Sequence, residues 1–429
     1  MMKIVYPICC GLDVHKKILV ATIAKTDSKN VTTYETKTFS TINSDILKLK
    51  QWLLDNNCLN LCMESTGKYW IPVFNLLEDS IKVCLTHPKY VKAIKGKKTD
   101  KKDSKWIADL FKHDLVPCSF IPPKDIRELR DICRYRYKLV CNRTSEKNRV
   151  QNSMTVSNIG IANIVTDPFG KTATNVMKYL LEHDNKNIDH DHIKSLLNKG
   201  LKKKADEIID SITGSNISSD QSFKLNICYQ HIDELDNYIS ILEDELIKRS
   251  SKYNSFVELA MQIPGIQRIS AIWIVSEIGV DMDIFKDAKH LASWAGLCPT
   301  NNESANKKYS TKISKAGVYI KPLLVQCALS AIANKKNLYY KNKYDNIKRR
   351  RGHKKAIIAI ARMMLTAIYY MFLTGESFSP YDINDFDKPK IRKQVLNTTN
   401  TLEYLKNLGI DISSIENQIN NLNENTQQL

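Results

Sequence analysis

The chain has 429 residues, of which 43% are hydrophobic, with few glycines and prolines and a net charge of +18. That length accommodates two or three domains, and the composition is that of a globular protein rather than a disordered or fibrous one. The charge excess favours an acidic partner, best fitted by nucleic acid; no apolar run approaches the ~20 residues that span a bilayer, so no membrane association is expected.

The N-terminus, MMKIVYPICCGLD, has too short an apolar core for a signal peptide. Residues 3 to 39 read as three strands: Ile4 to Val14, apolar with a polar exit; Ile18 to Lys25 after a tight turn; and Val31 to Phe39, which alternates. Ile42 to Asn56 has helical spacing, with Ile46, Leu49, Trp52 and Leu53 on one stripe. Leu59 to Glu64 reads as a buried strand, Tyr69 to Leu77 as a helix and Ile81 to Thr86 as a strand, and a helix is expected after Pro88. This order suggests a ribonuclease-H-like α/β layer.

Four acids stand out against that layer. Asp13 ends the first, central strand and Glu64 ends the strand expected beside it. In KKTDKKDSKWIA, Asp100 and Asp103 are three residues apart, on one face if the run is helical. Lys97, Lys98, Lys101, Lys102 and Lys105 flank them. Carboxylates gathered among lysines fit a hard cation serving a polyanion, with the lysines beside the phosphate backbone. Taken alone, Asp100 and Asp103 fit a solvated, charge-balanced face better than a metal site, and the case depends on Asp13 and Glu64 falling beside them. Asp13 also fits a turn residue, and Glu64 an acid at a helix N-terminus.

Together, GLDVHK at 11–16, MESTG at 63–67 and KTDKKDSKWIA at 98–108 resemble the DEDD transposases of bacterial insertion sequences, the "one-ten" family with its "eleven-eleven" subgroup. The resemblance runs through most of residues 8–375. It implies a RuvC-like N-terminal domain in which Asp13, Glu64, Asp100 and Asp103 bind Mg2+ or Mn2+.

Residues 121 to 155 form a basic helical stretch. Arg127, Arg130, Arg134, Arg136, Lys138, Arg143 and Arg149 are interleaved with Tyr135 and Tyr137. Arginine forks bind phosphates and tyrosines stack on unpaired bases, although a long helix with a solvated charged face reads the same way. In the resembling family this region helps to hold a structured guide RNA, the bridge RNA encoded by the element. Residues 156 to 222 carry little signal, and His190-Asp191-His192 reads as surface. Phe223 to Ser250 is a long amphipathic helix suited to a coiled coil or bundle, within the chain or between copies.

A further domain is expected from 255. LAMQIPGIQRISAIWIVSEIG at 259–279 reads as helix, turn, helix, with Ser270 as a cap for the second helix. It resembles a helix-hairpin-helix. In the following loop the family has a proline, a serine, a basic stretch and a glycine. Here these are Pro299, Ser304, Ile313-Ser314-Lys315 and Gly317. The resemblance makes Ser304 the nucleophile toward a DNA phosphodiester, with Lys307 and Lys308 beside it. Ala305 stands where the family has glycine, and Val318 where asparagine is common. Residues 335 to 362, which include Arg349, Arg350 and Arg351, form a second basic and aromatic patch that continues as an apolar helix. The tail beyond 376 is polar.

The expected organisation is therefore an α/β ribonuclease-H-like, RuvC-like domain at 1–120 and a helical, coiled-coil region at 121–254. A mainly α transposase domain at 255–375 and a polar tail at 376–429 follow. The implied activity is DNA strand cutting and rejoining by a dimer or tetramer acting on donor and target DNA. A junction-resolving nuclease using the four acids alone is the runner-up, and a non-catalytic RNA-binding protein the third reading. Eleven cysteines without a CxxC pair predict reduced thiols. They fit a cytoplasmic, nucleoid-associated bacterial protein rather than a secreted disulfide framework or a zinc site.

Overall fold

Strand alternation organises the N-terminal part of the chain. The computed structural model describes residues 3–65, 67–91, 100–183, 188–299, 302–304, 307–310 and 312–380, with backbone alone for the two segments between 302 and 310. In strand β1 (Ile8–Val14), Cys10, Leu12 and Val14 point to one side of the sheet, while Cys9, Gly11 and Asp13 point to the other. β1 pairs antiparallel with β2 (Ile18–Thr26), which pairs antiparallel with β3 (Thr32–Ser40). On its other edge β1 pairs parallel with β4 (Asn60–Glu64), and β4 pairs parallel with β5 (Lys82–Thr86). The order β3-β2-β1-β4-β5 makes a five-stranded mixed sheet compatible with the expected ribonuclease-H-like layer.

Helices α1 (Asn43–Asp55) and α2 (Trp70–Leu77) cover the first side, through Ile46, Leu49, Trp52, Leu53, Val73, Phe74 and Leu77. The short α3 (Pro88–Val91) follows β5. The second side is covered by α4 (Asp100–Lys112), whose stripe of Ser104, Ile107, Ala108, Phe111 and Lys112 is buried. This i, i+3, i+4, i+7 spacing is that of a helix lying on a core.

The expectation of reduced thiols fails at one pair: Cys84 and Cys118 are joined by a disulfide. Cys84 lies on β5. Residues 117–119 run along that strand, with the Ser119 amide donating to the Leu85 carbonyl and Thr86 Oγ1 donating to the Pro117 carbonyl. The pairing is tertiary, which is why neither count nor spacing of cysteines announces it.

Two long helices follow. In α5 (Lys124–Val156) and α9 (Ser219–Arg249), partner numbers fall on one helix as they rise on the other: Arg136 with Glu243, Arg143 with Asp236, Glu146 with His231. The helices are therefore antiparallel, with Leu139, Leu235 and Ile239 buried in their seam. Lys252 and Tyr253, just past α9, hold Asp125 at the start of α5. Between them, α6 (Lys171–Glu182), α7 (His190–Leu196) and α8 (Ala205–Ile212) share one core, around Val176, Met177, Ile193, Ile208 and Ile212, with Val150 and Met154 of α5 and Leu225 and Ile232 of α9. His190-Asp191-His192 opens α7 and is exposed, as expected.

The chain divides into two units, Met1–Asn254 with Ile272–Lys286, and Ser255–Ala271 with Asp287 onward. In the second, the turn between α10 (Asn254–Met261) and α11 (Arg268–Ile278) carries Gly265 at φ 91°. A Cβ there would meet the Cys327 carbonyl oxygen at 2.4 Å, on α13 (Ile320–Ala333). Ser270, expected as a cap, lies inside the first turn of α11. α12 (Ala288–Trp294) precedes a hairpin of β6 (Asn302–Ser304) and β7 (Lys307–Ser310), and a bridge between Pro299 and Ile313 closes the base of that hairpin.

α14 (Tyr339–Arg351) and α15 (His353–Thr374) complete the unit. By length and composition α15 could cross a membrane, which amends the expectation that no apolar run approaches that length. Its residues Ile360, Ala361, Met364, Leu365 and Ile368 are fully buried, as in the core helix of a water-exposed fold.

Candidate metal centre

The site begins with a glycine. Gly11 lies on the α4 side of β1, and a Cβ built on it would sit 2.2 Å from the Ser104 carbonyl oxygen and 2.3 Å from the Ala108 nitrogen. The helix therefore crosses the strand backbone to backbone. Ser104 Oγ lies 2.7 Å from Thr22 Oγ1, and Thr22 is the register partner of Gly11. This contact seats α4 by its second turn and carries its first turn, with Asp100 and Asp103, past the end of β1.

Asp13 is at that end. Its side chain is 14% exposed, and its carboxylate is 3.2 Å from His15 Nε2. His15 Nε2 is in turn 3.6 Å from an Asp100 oxygen. One ligand atom each from Asp13, His15 and Asp100 falls within 4.8 Å of the others. Burial holds the Asp13 carboxyl above the usual carboxylate range; His15 opposes that, and the charges of Asp100 and Asp103 add to it. Asp103 is thus close enough to act on Asp13, although it stands outside the group of three. Glu64 follows Met63 on β4 as Asp13 follows Leu12 on β1, and Leu12 pairs with Met63. By alternation both acids fall on the α4 side, at matching positions of adjacent parallel strands.

This donor set fits a hard divalent cation. Carboxylate oxygens are its natural ligands, and a cation would offset the burial and, with it, the acid–acid repulsion that hold Asp13 high. His15, part of the GLDVHK motif, is the site residue that sequence reading passed over. Its offset of two from Asp13 on an extended chain was the available signal.

Other expected site residues are placed differently. Lys101 and Lys102 are exposed on α4, and Lys97 and Lys98 lie outside the described residues. Ser304 ends β6, paired in register with Lys307; its side chain and those of Lys307 and Lys308 lie outside the described part. Gly317 has φ 66°, and a Cβ on it would meet the Ala295 carbonyl oxygen at 2.0 Å, so close packing against the end of α12 accounts for this glycine. Lys315, Arg349, Arg350 and Arg351 are exposed.

The arginines of α5 face acids of their own chain. Arg127 pairs with Glu78 at 2.6 Å, and Arg130 donates to the carbonyls of Ser276 and Glu277 at 2.8 Å. Arg134 grips the Glu277 carboxylate through two 2.8 Å hydrogen bonds. Arg136, Arg143 and Arg149 pair with Glu243, Asp236 and Glu146. The sequence fits either a phosphate-binding surface or a charged helix face; within the chain, Arg134, Arg136 and Arg143 meet acids of α9 and α11, while Arg127 and Arg149 meet Glu78 and Glu146.

Adjacent parallel strands carrying carboxylates near their ends, with a helix bringing two more, belong to a mixed α/β domain compatible with a ribonuclease-H-like layer and followed by a mainly helical part. Residues 10–158 match a family model described as "Transposase", and residues 257–345 match "Transposase IS116/IS110/IS902 family". The chain belongs to the IS110 family of insertion-sequence transposases. It is also similar to the "Insertion element IS900 uncharacterized 42 kDa protein" of Mycobacterium paratuberculosis, 27% identical over 139 residues. That match covers 32% of this chain and 34% of the relative, about a third of the relative's length.

Proposed function

We propose that this protein is the DNA recombinase of an insertion sequence, cutting and rejoining strands with Asp13, Glu64, Asp100 and Asp103 as ligands for Mg2+ or Mn2+. The observation that carries the reading is the convergence of Asp13 and Asp100 around His15, with Asp103 acting on the same carboxyl and Glu64 in register beside it. A divalent cation held there supplies positive charge that lowers the pKa of an attacking hydroxyl and neutralises the phosphate. The chain's own acids fix where that charge sits, and α4 fixes the acids.

Ser304 is the proposed nucleophile. Its Oγ bonds to phosphorus as one strand P–O bond breaks, the strand leaves as a free hydroxyl that takes up the proton the serine gives up, and the phosphoserine keeps the bond energy for that hydroxyl to rejoin. The exposed cations Lys101, Lys102, Lys315 and Arg349 to Arg351 are the proposed backbone contacts, whereas the α5 arginines serve the fold. A structured guide RNA and a homo-oligomer belong to the same reading and are supported by the charge excess and the family. A ribonuclease-H-like, RuvC-like first domain is likewise part of it.

The test uses purified full-length protein, element-end DNA, the non-coding RNA flanking the gene, and magnesium. A covalent protein–DNA adduct is expected, lost in both Ser304→Ala and Asp13→Asn. Cleavage that persists without an adduct in Ser304→Ala would replace this reading with a resolving nuclease that uses the acids alone. Asp13→Asn retaining full strand exchange would remove the metal centre from it.

A further inference from the structure

The second unit contains a cavity of about 670 Å³, lined in part by the basic and aromatic stretch 335 to 362 and by none of the residues of the metal centre. Small-ligand sites run to roughly 300–1,000 Å³. Tyr339, Tyr340, Arg362, Tyr370, Glu376 and Phe378 are among its lining residues, from the start of α14, the middle of α15 and the chain that leaves α15.

One wall is a fixed aromatic cluster. Tyr339 and Tyr340 meet edge to face at 5.0 Å, and Phe378 stacks on Tyr340 at 6.1 Å with 22° between the rings. Tyr340 is 1% exposed, so its ring is held in place. Tyr370, at the rim, is 54% exposed. Lys343 Nζ lies 5.2 Å from the Tyr339 ring centre, which adds positive charge beside the cluster.

Arg362 is the second, independent observation. From Ala356 to Leu373, α15 carries no other charged side chain. Arg362 is half-buried and forms no ion pair or hydrogen bond with the described residues. Glu376 lines the same cavity without pairing to it. A half-buried guanidinium without a partner leaves its donors unsatisfied. A guanidinium offers five donors in a plane and suits phosphate, and aromatic faces stack on any nucleobase. An apolar peptide in this cavity would leave the guanidinium unanswered, whereas one nucleotide would use both features.

We propose that this cavity receives one unpaired nucleotide of a DNA strand, with the base against the tyrosines and a phosphate on Arg362. The inference rests on the recombinase reading for its choice of DNA: a strand being cut and exchanged leaves its duplex, and its bases become free to stack elsewhere. Its test does not depend on cleavage.

Full-length protein in EDTA is titrated with a short single-stranded DNA carrying one 2-aminopurine, followed by anisotropy and by base fluorescence. Arg362→Met is expected to weaken single-strand binding roughly tenfold, and Tyr370→Leu to abolish a change in base fluorescence seen with the wild type. Both should bind duplex DNA as the wild type does. Should Arg362→Met fail to fold, Tyr370→Leu at the exposed rim still decides the matter. Wild-type affinity and wild-type fluorescence in the folded variants would overturn the proposal. So would an RNA strand of the same sequence binding more tightly than DNA through Arg362. Loss of cleavage in Asp13→Asn leaves these readings unmoved, so the two failures are distinguishable.

Discussion

At Gly11 the sheet and α4 meet main chain to main chain, and this contact positions Asp100 and Asp103. A methyl group there has no space, since its nearest neighbours, at 2.2 and 2.3 Å, are backbone atoms of Ser104 and Ala108. Gly11→Ala must push α4 outward or along the strand. A displacement near 1 Å at a reacting centre costs on the order of 100-fold in rate. Gly11→Ala is therefore expected to lose about 100-fold in metal-dependent cleavage while its far-ultraviolet circular dichroism stays native. An unchanged rate would mean that α4 is seated by other contacts. The four acids stand out in the sequence because each interrupts an apolar or basic run. The role of Gly11 does not, because a close approach between elements leaves no local mark.

On the scale of elements, the α5–α9 pair shows why a row of arginines is ambiguous when read alone. Length, helicity and the buried seam were legible from periodicity. The partners were not, since Glu277 and Glu243 lie over a hundred residues away from Arg134 and Arg136. The pairs also differ in weight. Glu277 is 2% exposed, and burial pushes its neighbour Arg130 down to about 10. Arg134→Ala leaves that buried carboxylate short of its main partner, at a cost of about 3 kcal/mol or more. Arg143 pairs with an Asp236 side chain that is 48% exposed. Its replacement by alanine should cost less than about 1 kcal/mol. Chemical denaturation of the two variants measures the difference. Equal midpoints for wild type and Arg134→Ala, together with a weaker salt dependence of nucleic-acid binding, would return this arginine to the phosphate-binding row.

For the molecule as a whole, the charge of +18 pointed correctly to a nucleic-acid-handling family but not to the cations responsible. The arginines of α5 are largely absorbed internally, and exposed cations are spread over other elements, among them Lys16 and Lys17, Lys202 to Lys204, and Arg349 to Arg351 in the last turn of α14. The Cys84–Cys118 bond spans 34 residues, including the whole of α4. Closing a loop of that length limits the unfolded chain by about 3–4 kcal/mol. Thermal unfolding with and without reductant should show a lower midpoint in the reduced protein, a difference that Cys118→Ser abolishes. An identical midpoint in both conditions would show that the cysteines remain thiols in solution. The contact at Gly11 bears on longer timescales too. A spacer made of peptide units has no rotamers, so drift among the aliphatic residues beneath it leaves the carboxylates in tune.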